Sequence, residues 1–151
     1  MSSILAKLNL PEYPLKLKTE NGIKKIFDPI RKKWLQLTPE EWVRQSFLMY
    51  MHEEKKYPLS LTETEKLLKL YNTTKRADIV FNDRSLRPIV IVECKAPEVK
   101  LDQSTFDQII RYHYALKVKV LIITNGLKHY AFRFTNDKFE FLKEIPEYEM
   151  L

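Results

Sequence analysis

Apolar and basic residues alternate between residues 15 and 34, with the period of a β-strand. Asn21 and Gly22, a pair that favours the tight turn of a two-residue hairpin, interrupt this alternation. The pattern therefore predicts a small amino-terminal hairpin that packs as an extension on the main core.

The period changes in "LTPEEWVRQSFLMYMHEEKKYP", where apolar residues recur at the spacing of an α-helix. Thr38 has the properties of an N-cap, Pro39 lies in the first turn, and Glu41 stands three residues after the cap. We expect a helix that begins after Thr38 and is closed by Pro58.

Three strand-like runs follow the helix, at about residues 59–71, 76–81 and 88–95. The turn-forming segments "NTTK" and "NDRSLR" separate these runs. Together they predict an antiparallel meander.

A second helical pattern covers about residues 103–116, with a stripe from Phe106 to His113, and leads into a strand at 118–124. A helix between two strands is the usual connection of a parallel pair. The segment "HYAFRFTNDKFEFL" predicts a terminal hairpin. This order indicates one mixed sheet covered by helices, in the α/β or α+β class.

The composition limits the type of protein. With 151 residues, of which 44% are hydrophobic, the chain can form one sizeable core, so we expect a single domain with short extensions. The sequence has no long apolar run and no leader with a small-residue cleavage site, which favours a soluble, cytoplasmic protein. A single cysteine, Cys94, cannot form an internal disulfide, in keeping with a reducing compartment.

The charge balance favours a polyanionic partner. The 26 Lys and Arg exceed the 20 Asp and Glu, which gives a formal net charge of +6 and a pI near 9.3. A solvated basic surface would give the same count. The two glycines, Gly22 and Gly126, are too far apart to form a phosphate-binding loop, so we expect no nucleotide-driven motor.

The candidate chemistry begins where a run of branched aliphatic residues, 89–92, ends in Glu93, Cys94 and Lys95. The run has no polar face, which is typical of a central strand covered on both sides. Because side chains alternate along a strand, Glu93 and Lys95 share one face, whereas Cys94 is interpreted as a small core residue. The two charges have a desolvation cost unless they are paired, bind a metal or face a cleft.

The neighbouring strand adds a further carboxylate. If the intervening loop covers residues 84–87, Asp78 lies opposite Glu93 at a β-carbon separation of about 5 Å. Two such carboxylates repel each other unless a cation lies between them. A structural ion-pair network with Arg76 and Lys95 meets this condition, and so does a Mg²⁺ site suited to phosphodiester hydrolysis.

The order of Asp78, Glu93 and Lys95 resembles the active-site motif of the PD-(D/E)xK nuclease superfamily, with Ala77 in place of the usual proline. The segments "LTPEEWVRQ", "RADIV", "IVIVECKAP", "FDQIIRYHYAL" and "LIITNGL" make the resemblance more specific. In order and spacing they resemble the amino-terminal nuclease domain of type I restriction enzyme R subunits, and above all the short stand-alone members without a helicase. The resemblance covers about residues 26–130.

This resemblance implies a restriction-endonuclease-like fold, a mixed β-sheet flanked by helices, over residues 26–151. Residues 1–25 then form the N-terminal hairpin extension. It also implies that Asp78 and Glu93 bind Mg²⁺, for which Mn²⁺ would substitute, and that Lys95 orients the attacking water.

Three more residues gain accessory roles from the resemblance. Gln108 and Tyr112 are spaced i, i+4 and match the family's Q-x-x-x-Y motif beside the catalytic strand. Glu41 matches an acidic residue that such nucleases direct from the first helix toward the metal. A capping role within its own helix is an equal alternative for Glu41.

The partner implied by the resemblance is DNA. Basic residues near the expected cleft would contact phosphates, which positions DNA without reading its sequence. They are Lys75, Arg76, Arg84, Arg87, Lys100, Arg111 and Arg44, with an ion pair to Glu41 as the alternative for Arg44. Because one active site cuts one strand, we also expect a homodimer or restriction and helicase partner subunits.

Three functions are therefore compared. The first is a Mg²⁺-dependent DNA endonuclease. The second is a DNA-binding or assembly module that keeps the nuclease fold and cuts only with a partner, or not at all. The third is a metal-independent protein in which the charged residues form a structural ion-pair network.

Overall fold

The protein, described by a computed structural model over residues 5–70 and 73–151, begins with a three-stranded antiparallel sheet. Its strands, in spatial order, are β1 (Leu17–Glu20), β2 (Ile23–Asp28) and β3 (Lys33–Gln36). The expected hairpin is confirmed, with Asn21 and Gly22 in the turn at φ values of 52° and 77°. The structure adds a third strand, β3, to this hairpin. The expected domain boundary between residues 25 and 26 falls inside β2.

The first helix, α1 (Pro39–Lys55), begins where the sequence predicted. The Thr38 hydroxyl accepts a hydrogen bond from the Glu41 amide at 3.0 Å, which satisfies one of the free donors of the first turn. Lys56, at φ 65°, ends the helix in the left-handed conformation. The chain therefore leaves the helix shortly before Pro58.

The remaining elements form a six-stranded sheet and a second helix. They are β4 (Thr62–Leu70), β5 (Thr73–Asn82), β6 (Pro88–Cys94), α2 (Gln103–His113), β7 (Val120–Thr124), β8 (His129–Thr135) and β9 (Lys138–Leu142). The strand order is β4-β5-β6-β7-β8-β9, in which β6 and β7 are parallel and the other neighbours are antiparallel. The expected mixed α+β architecture is confirmed, with α2 in the parallel crossover.

Several element ends differ from the sequence pattern. Residues Leu59–Leu61 form a 3₁₀ turn, so the first strand of the meander begins at Thr62. The expected end of that strand at Tyr71, and Asn72 of the expected turn, lie outside the described residues. Residues 73–75 of that turn belong to β5 instead, in keeping with the preference of β-branched threonine for strands.

The two helices cover opposite faces of the sheet. Val43 and Phe47 of α1 pack in one hydrophobic cluster with Val90, Val92 and Cys94. On the other face, Ile109 of α2 packs in a second cluster, which includes Ile91. The run at residues 89–92 is thus buried on both sides, as its sequence predicted. No helix within residues 5–70 and 73–151 is long and apolar enough to cross a membrane.

Cys94 is a core residue, as its strand position predicted. It is 1% exposed, and burial raises the pKa of its thiol, which disfavours the reactive thiolate. This strand end therefore offers its charged residues, and not its thiol, for chemistry.

Asp28 attaches the three-stranded sheet to the larger one. Its buried Oδ2 accepts hydrogen bonds from the Thr64 hydroxyl at 2.7 Å and from Arg31 Nε at 3.0 Å, while Oδ1 accepts from the amides of Ile30 and Arg31. Burial alone would raise the pKa of Asp28, but these hydrogen bonds lower it below its usual value. One carboxylate thus joins the end of β2 to β4.

We expect Asp28→Ala to lower the free energy of unfolding by about 3 kcal/mol or more, because it leaves several buried donors without an acceptor. Urea unfolding followed by circular dichroism measures this value. The matched control is Glu20→Ala on the exposed turn of the same sheet, which should leave stability nearly unchanged. Equal effects of the two substitutions would contradict the anchoring role of Asp28.

Candidate active site

The ends of β5 and β6 bring two carboxylates to the same level of the sheet. Ile79 pairs with Val92, and continuation of this register by one residue carries Asp78 to the level of Glu93. The connecting loop covers residues 83–87 and not four residues. An irregularity of the ladder at the end of β5 accommodates the additional residue.

Asp78 is buried and is held by both neighbouring elements. Its Oδ2 accepts a hydrogen bond from the Cys94 amide at 2.7 Å, and its Oδ1 lies 3.5 Å from Arg44 Nη1. Burial, followed by the negative charge of Glu93, raises the pKa of Asp78 to about 7 despite these two favourable contacts. Desolvation and the neighbouring charge therefore both disfavour the ionised form of Asp78.

Glu93 is positioned from the opposite side of the sheet. Its Oε1 lies 3.0 Å from Nε2 of His113, a fully buried residue at the end of α2. Nδ1 of His113 is buried and has no hydrogen-bond partner among the described residues. The sequence placed His113 on the apolar stripe of its helix and gave it no role, although a buried polar group on such a stripe calls for a polar partner.

Arg44 lies at the centre of a buried group of carboxylates. Its Nη2 is 2.7 Å from Glu41 Oε1, and its Nη1 forms an ion pair with Glu65 in addition to the contact with Asp78. The Arg44 side chain is 7% exposed. Arg44 is therefore not placed for the expected contact with DNA, because its side chain is buried. It forms the alternative ion pair with Glu41.

Glu41 is committed to its own helix. In addition to the Arg44 pair, its Oε2 accepts a hydrogen bond from Gln45 Nε2 at 2.8 Å, so both carboxylate oxygens are engaged. The expected approach of Glu41 to the metal is thus replaced by a structural role. The Glu41 amide forms one bond of the capping box, with the Thr38 hydroxyl. The reciprocal bond, from the Thr38 amide to the Glu41 carboxylate, is not found within the described residues, since this carboxylate accepts from Arg44 and Gln45.

The preceding residue, Glu40, interacts electrostatically with the site. Burial raises the pKa of Glu40, Arg44 and Lys95 lower it, and Glu93 raises it further. These interactions place Glu40 within electrostatic range of the site carboxylates. Two successive glutamates differ by about 100° around a helix, and the sequence did not indicate which of them points inward.

Lys95 lies just beyond the end of β6. Its amide donates a hydrogen bond to the carbonyl oxygen of Thr124 at 2.8 Å, which fixes its backbone against β7. Within residues 5–70 and 73–151, no carboxylate lies within 4.0 Å of its ammonium group. The half-buried ammonium is therefore available to a ligand.

The ion-pair network expected from the sequence does not form among its four members. Arg76 pairs with Glu65 at 3.5 Å, and Asp78 and Glu93 contact other partners. The reason is that Arg44 and His113 approach from the two helices. The partners of Asp78 and Glu93 therefore come from the helices, which the pattern of the strands did not predict.

The Q-x-x-x-Y residues lie on α2 beside β5. The Tyr112 hydroxyl accepts a hydrogen bond from the Arg76 amide at 2.9 Å, and Lys75 Nζ lies 4.5 Å from the centre of the Tyr112 ring. Gln108 is exposed one turn earlier on the helix. Tyr112 therefore fixes the backbone two residues before Asp78.

The other expected phosphate contacts lie on the surface. Lys100 and Arg111 are exposed. Arg84 pairs with Glu149 at 2.9 Å, and Arg87 pairs with Asp83 at 3.2 Å. These exposed ion pairs are weak enough to be exchanged for a phosphate.

The backbone is irregular at the level of Asp78. Ile79 packs on the α1 side of the sheet, whereas Ala77 packs on the α2 side with Val80, so the usual alternation of faces is interrupted between them. Opposite this point in β4, Glu65 has a φ of 51°, an uncommon conformation for a residue other than glycine. Both strands change faces together, next to the candidate site.

A metal would have to be held by few protein groups. No three His, Cys, Asp or Glu side chains among the described residues converge closely enough to form a metal site as they stand. Asp78 and Glu93 remain as a pair. Mg²⁺ keeps several waters and uses one or two carboxylates, so such a pair fits its coordination better than that of a metal that needs a complete protein cage.

A comparison with protein families supports a relation that the geometry alone does not reveal. The model of the type I restriction enzyme R protein N terminus matches residues 39–146. The chain belongs to this family. The match covers α1 and the six-stranded sheet of the R-protein N-terminal domain, whereas β1, β2 and β3 precede it.

A solved structure gives the same relation for the fold. It is a fragment assigned as an HsdR subunit of a type I restriction enzyme from Vibrio vulnificus YJ016, with a TM-score of 0.51 and 20% sequence identity. The similarity covers 71% of this chain and 23% of that chain, and at this identity it shows the fold alone. No curated protein matches the chain.

The raised pKa of Asp78 predicts a pH-dependent effect of Asp78→Asn in the presence of EDTA. Since the folded state holds this pKa near 7, the parent loses stability as the pH rises from about 4 through 7, by at most about 1.4 kcal/mol per pH unit. The free energy of unfolding of Asp78→Asn, relative to the parent, should therefore increase over this range. Urea unfolding at several pH values measures the difference.

The control for this experiment is Asp83→Asn. The amides of Arg87 and Ser85 lower the pKa of the exposed Asp83, so its carboxyl is ionised in both the folded and the unfolded state above about pH 4. The stability of its variant relative to the parent should therefore stay constant from about pH 4 to 7. A pH-independent difference for Asp78→Asn would show that Asp78 is not held protonated in the folded state.

Proposed function

We propose that this R-protein N-terminal domain is a Mg²⁺-dependent DNA endonuclease that hydrolyses phosphodiester bonds. The observation that carries the proposal is the electrostatic interaction between two carboxylates, Asp78 and Glu93, at the ends of β5 and β6. Lys95, whose ammonium has no ion pair within the described residues, follows Glu93 by two positions. Membership in the type I restriction enzyme R family supports the same activity.

Asp78 and Glu93 would hold the metal. The fit rests on the raised pKa of Asp78, because two crowded carboxylates in a buried setting gain most from a divalent cation. When bound, Mg²⁺ would lower the pKa of a coordinated water and offset negative charge on the phosphate. Mn²⁺ would substitute, since it also prefers oxygen ligands.

The surrounding residues would keep these ligands in position. The Cys94 amide holds one oxygen of Asp78, and His113 holds one oxygen of Glu93. Glu93 Oε2 has no hydrogen bond or ion pair within the described residues and could serve as a ligand. Asp78 Oδ1, 3.5 Å from Arg44 Nη1, would bind the metal while keeping this longer contact. Such supporting hydrogen bonds commonly affect metal affinity as strongly as the ligands themselves.

Lys95 would act on the water and on the phosphate. A positively charged ammonium near the attacked phosphate stabilises the negative charge that develops in the transition state. Its half-buried position strengthens this interaction relative to that in bulk water. Glu40 lies within electrostatic range and would keep the ammonium of Lys95 oriented toward the site.

DNA would lie across the edge of the site, in contact with exposed basic side chains. Arg76, Lys75, Lys100 and Arg111 would contact phosphates and so position the substrate. Gln108 and Tyr112 would support the same surface, because Tyr112 already fixes the backbone at Arg76. As part of a restriction system, the domain would act with other subunits or as a homodimer, since one site cuts one strand.

The activity is tested with plasmid DNA and Mg²⁺ or Mn²⁺. We expect the parent to cleave and Asp78→Ala to be inactive. Lys95→Ala should lose about a hundredfold or more of the cleavage rate, the scale on which a preorganised electrostatic contact acts. Lys95→Arg should recover little, because a guanidinium is bulkier than an ammonium and has a different shape.

A control for general charge effects is Lys128→Ala, an exposed lysine in the turn between β7 and β8, which should cleave at the parental rate. Equal cleavage by the parent, Asp78→Ala and Lys95→Ala would exclude this active site. Parental activity in Lys95→Ala alone would leave the metal ligands in place and remove the role of Lys95.

Metal binding is tested without DNA, by calorimetric titration with Mn²⁺. We expect binding in the parent and in Lys95→Ala, and its loss in Asp78→Ala, because the carboxylate is a ligand and the ammonium is not. Binding that depends on Asp78, without cleavage under any condition, would favour the second function, a partner-dependent module. A heat of Mn²⁺ binding that persists in Asp78→Ala would contradict the assignment of Asp78 as a metal ligand.

A further inference from the structure

The basic charge of the chain is concentrated before the family-matched region. Residues 1–38 contain eight Lys or Arg and three Asp or Glu, whereas residues 39–151 contain 18 and 17. The chain from residue 39 onward, which contains the matched region, is therefore almost neutral as a whole, and its site is rich in carboxylates. A polyanion would gain little long-range attraction from this region by itself.

The outer face of the three-stranded sheet combines lysines with aromatic rings. Lys16 Nζ lies 5.3 Å from the centre of the Phe27 ring, and Lys18 Nζ lies 4.5 Å from that of Trp34. The two rings contact each other with a centroid distance of 5.3 Å. Ile26 points to the opposite face and is fully buried, so the lysine and aromatic face is directed away from the protein body.

One carboxylate on this sheet offsets part of the charge. Glu20 lies 2.8 Å from Lys25 and 3.7 Å from Lys18. By contrast, Lys16, Lys32 and Lys33 are exposed and have no ion pair within the described part of the chain. Of these, Lys16 lies on the lysine and aromatic face, Lys32 lies in the turn before β3, and Lys33, opposite Asp28, alternates toward the Ile26 side. The three available ammonium groups are therefore distributed around the sheet and do not share one face.

A polar groove connects this sheet with the candidate active site. It has a volume of about 450 Å³, and its lining includes Arg31, Leu35, Gln36, Arg44, Glu65 and Arg76. The first three belong to the three-stranded sheet or its last turn. Asp78 does not line the groove itself, but Arg44, which does, lies 3.5 Å from it, so the groove runs from the edge of β3 to the immediate neighbourhood of the candidate site.

We propose that the three-stranded sheet is a DNA-docking surface, which binds the sugar–phosphate backbone of a duplex beside the bond to be cleaved and directs it along the groove toward Asp78. The destination at Asp78 rests on the proposed function, but the docking itself requires neither the metal nor catalysis. Charge complementarity favours DNA as the occupant, because carboxylates at a cleavage site repel phosphates and an adjacent basic surface compensates for this repulsion.

The lysines would supply the affinity, and the sheet would supply no sequence specificity. Phosphate contacts from flexible ammonium groups are insensitive to the base sequence. Each phosphate neutralised on duplex DNA adds about 0.9 to the slope of log affinity against log salt. The slope of log affinity against log salt therefore measures the number of phosphate contacts that the surface makes.

The experiment compares two triple variants with the same loss of charge. The docking variant is Lys16→Gln, Lys32→Gln, Lys33→Gln, and the control variant is Lys119→Gln, Lys138→Gln, Lys143→Gln. The control lysines lie near β7 and β9, away from β4 and the groove. Binding of a fluorescent duplex is measured by anisotropy in EDTA at several salt concentrations, and circular dichroism verifies that both variants are folded.

We expect the docking variant to bind about tenfold more weakly or worse at low salt, with a slope reduced by about 2 to 3, because three phosphate contacts are lost. The control variant should retain the parental slope. Equal slopes for the docking variant and the parent would overturn the proposal, and equal losses in both variants would also overturn it by showing a general charge effect.

Two further arms separate this proposal from its alternatives. Anionic phosphatidylserine vesicles are titrated with the same variants, and a loss of vesicle binding without a loss of duplex binding would overturn DNA as the occupant. Asp78→Ala should bind the duplex at least as tightly as the parent in EDTA, because it removes a carboxylate that repels phosphate. If the parent cleaves plasmid and the docking variant binds the duplex like the parent, the proposed function stands and the docking surface is refuted. If the parent does not cleave and only the docking variant loses duplex binding, the docking surface stands and the proposed activity is refuted.

Discussion

The buried guanidinium of Arg44 joins the elements on which the candidate site depends. It contacts Glu41 on its own helix, Glu65 on β4 and Asp78 on β5, so it fixes α1 relative to both strands. A buried cation of this kind is stable only with partners that offset its desolvation, and each of these carboxylates needs the cation for the same reason. The position of the helix and the charge state of the strand ends are therefore coupled.

The site combines several features that are unfavourable for folding. Asp78 is buried near a like charge, Nδ1 of His113 has no hydrogen-bond partner among the described residues, and Glu65 adopts a left-handed backbone conformation. Each of these costs free energy, and none contributes to the apolar packing above and below the sheet. Such a concentration of local conflict in an otherwise regular fold is typical of a functional site.

The sequence predicted what depends on periodicity and on local turns. Asn21 and Gly22 indicated the hairpin, and the short loop after β5 indicated that Asp78 and Glu93 lie at the same level of the sheet, because a register is set by few residues. The interrupted alternation at Asp78 was not predicted. The sequence also did not predict the partners of these carboxylates. Arg44 and His113 come from two helices, and their contacts depend on how each helix is rotated on the sheet. The rotation of α1 also decides which of its two successive glutamates approaches the site, so the sequence indicated Glu41 and did not indicate Glu40.

The left-handed residue in β4 has a consequence for assembly. β4 is an edge strand of the six-stranded sheet, and edge strands offer unpaired backbone groups to which another chain can add. At Glu65 the backbone leaves the extended conformation, and the charged Lys66 and Lys69 follow. A second strand could not continue hydrogen bonding past this point without a break. The irregularity that shapes the site thus also protects this edge from sheet extension and aggregation.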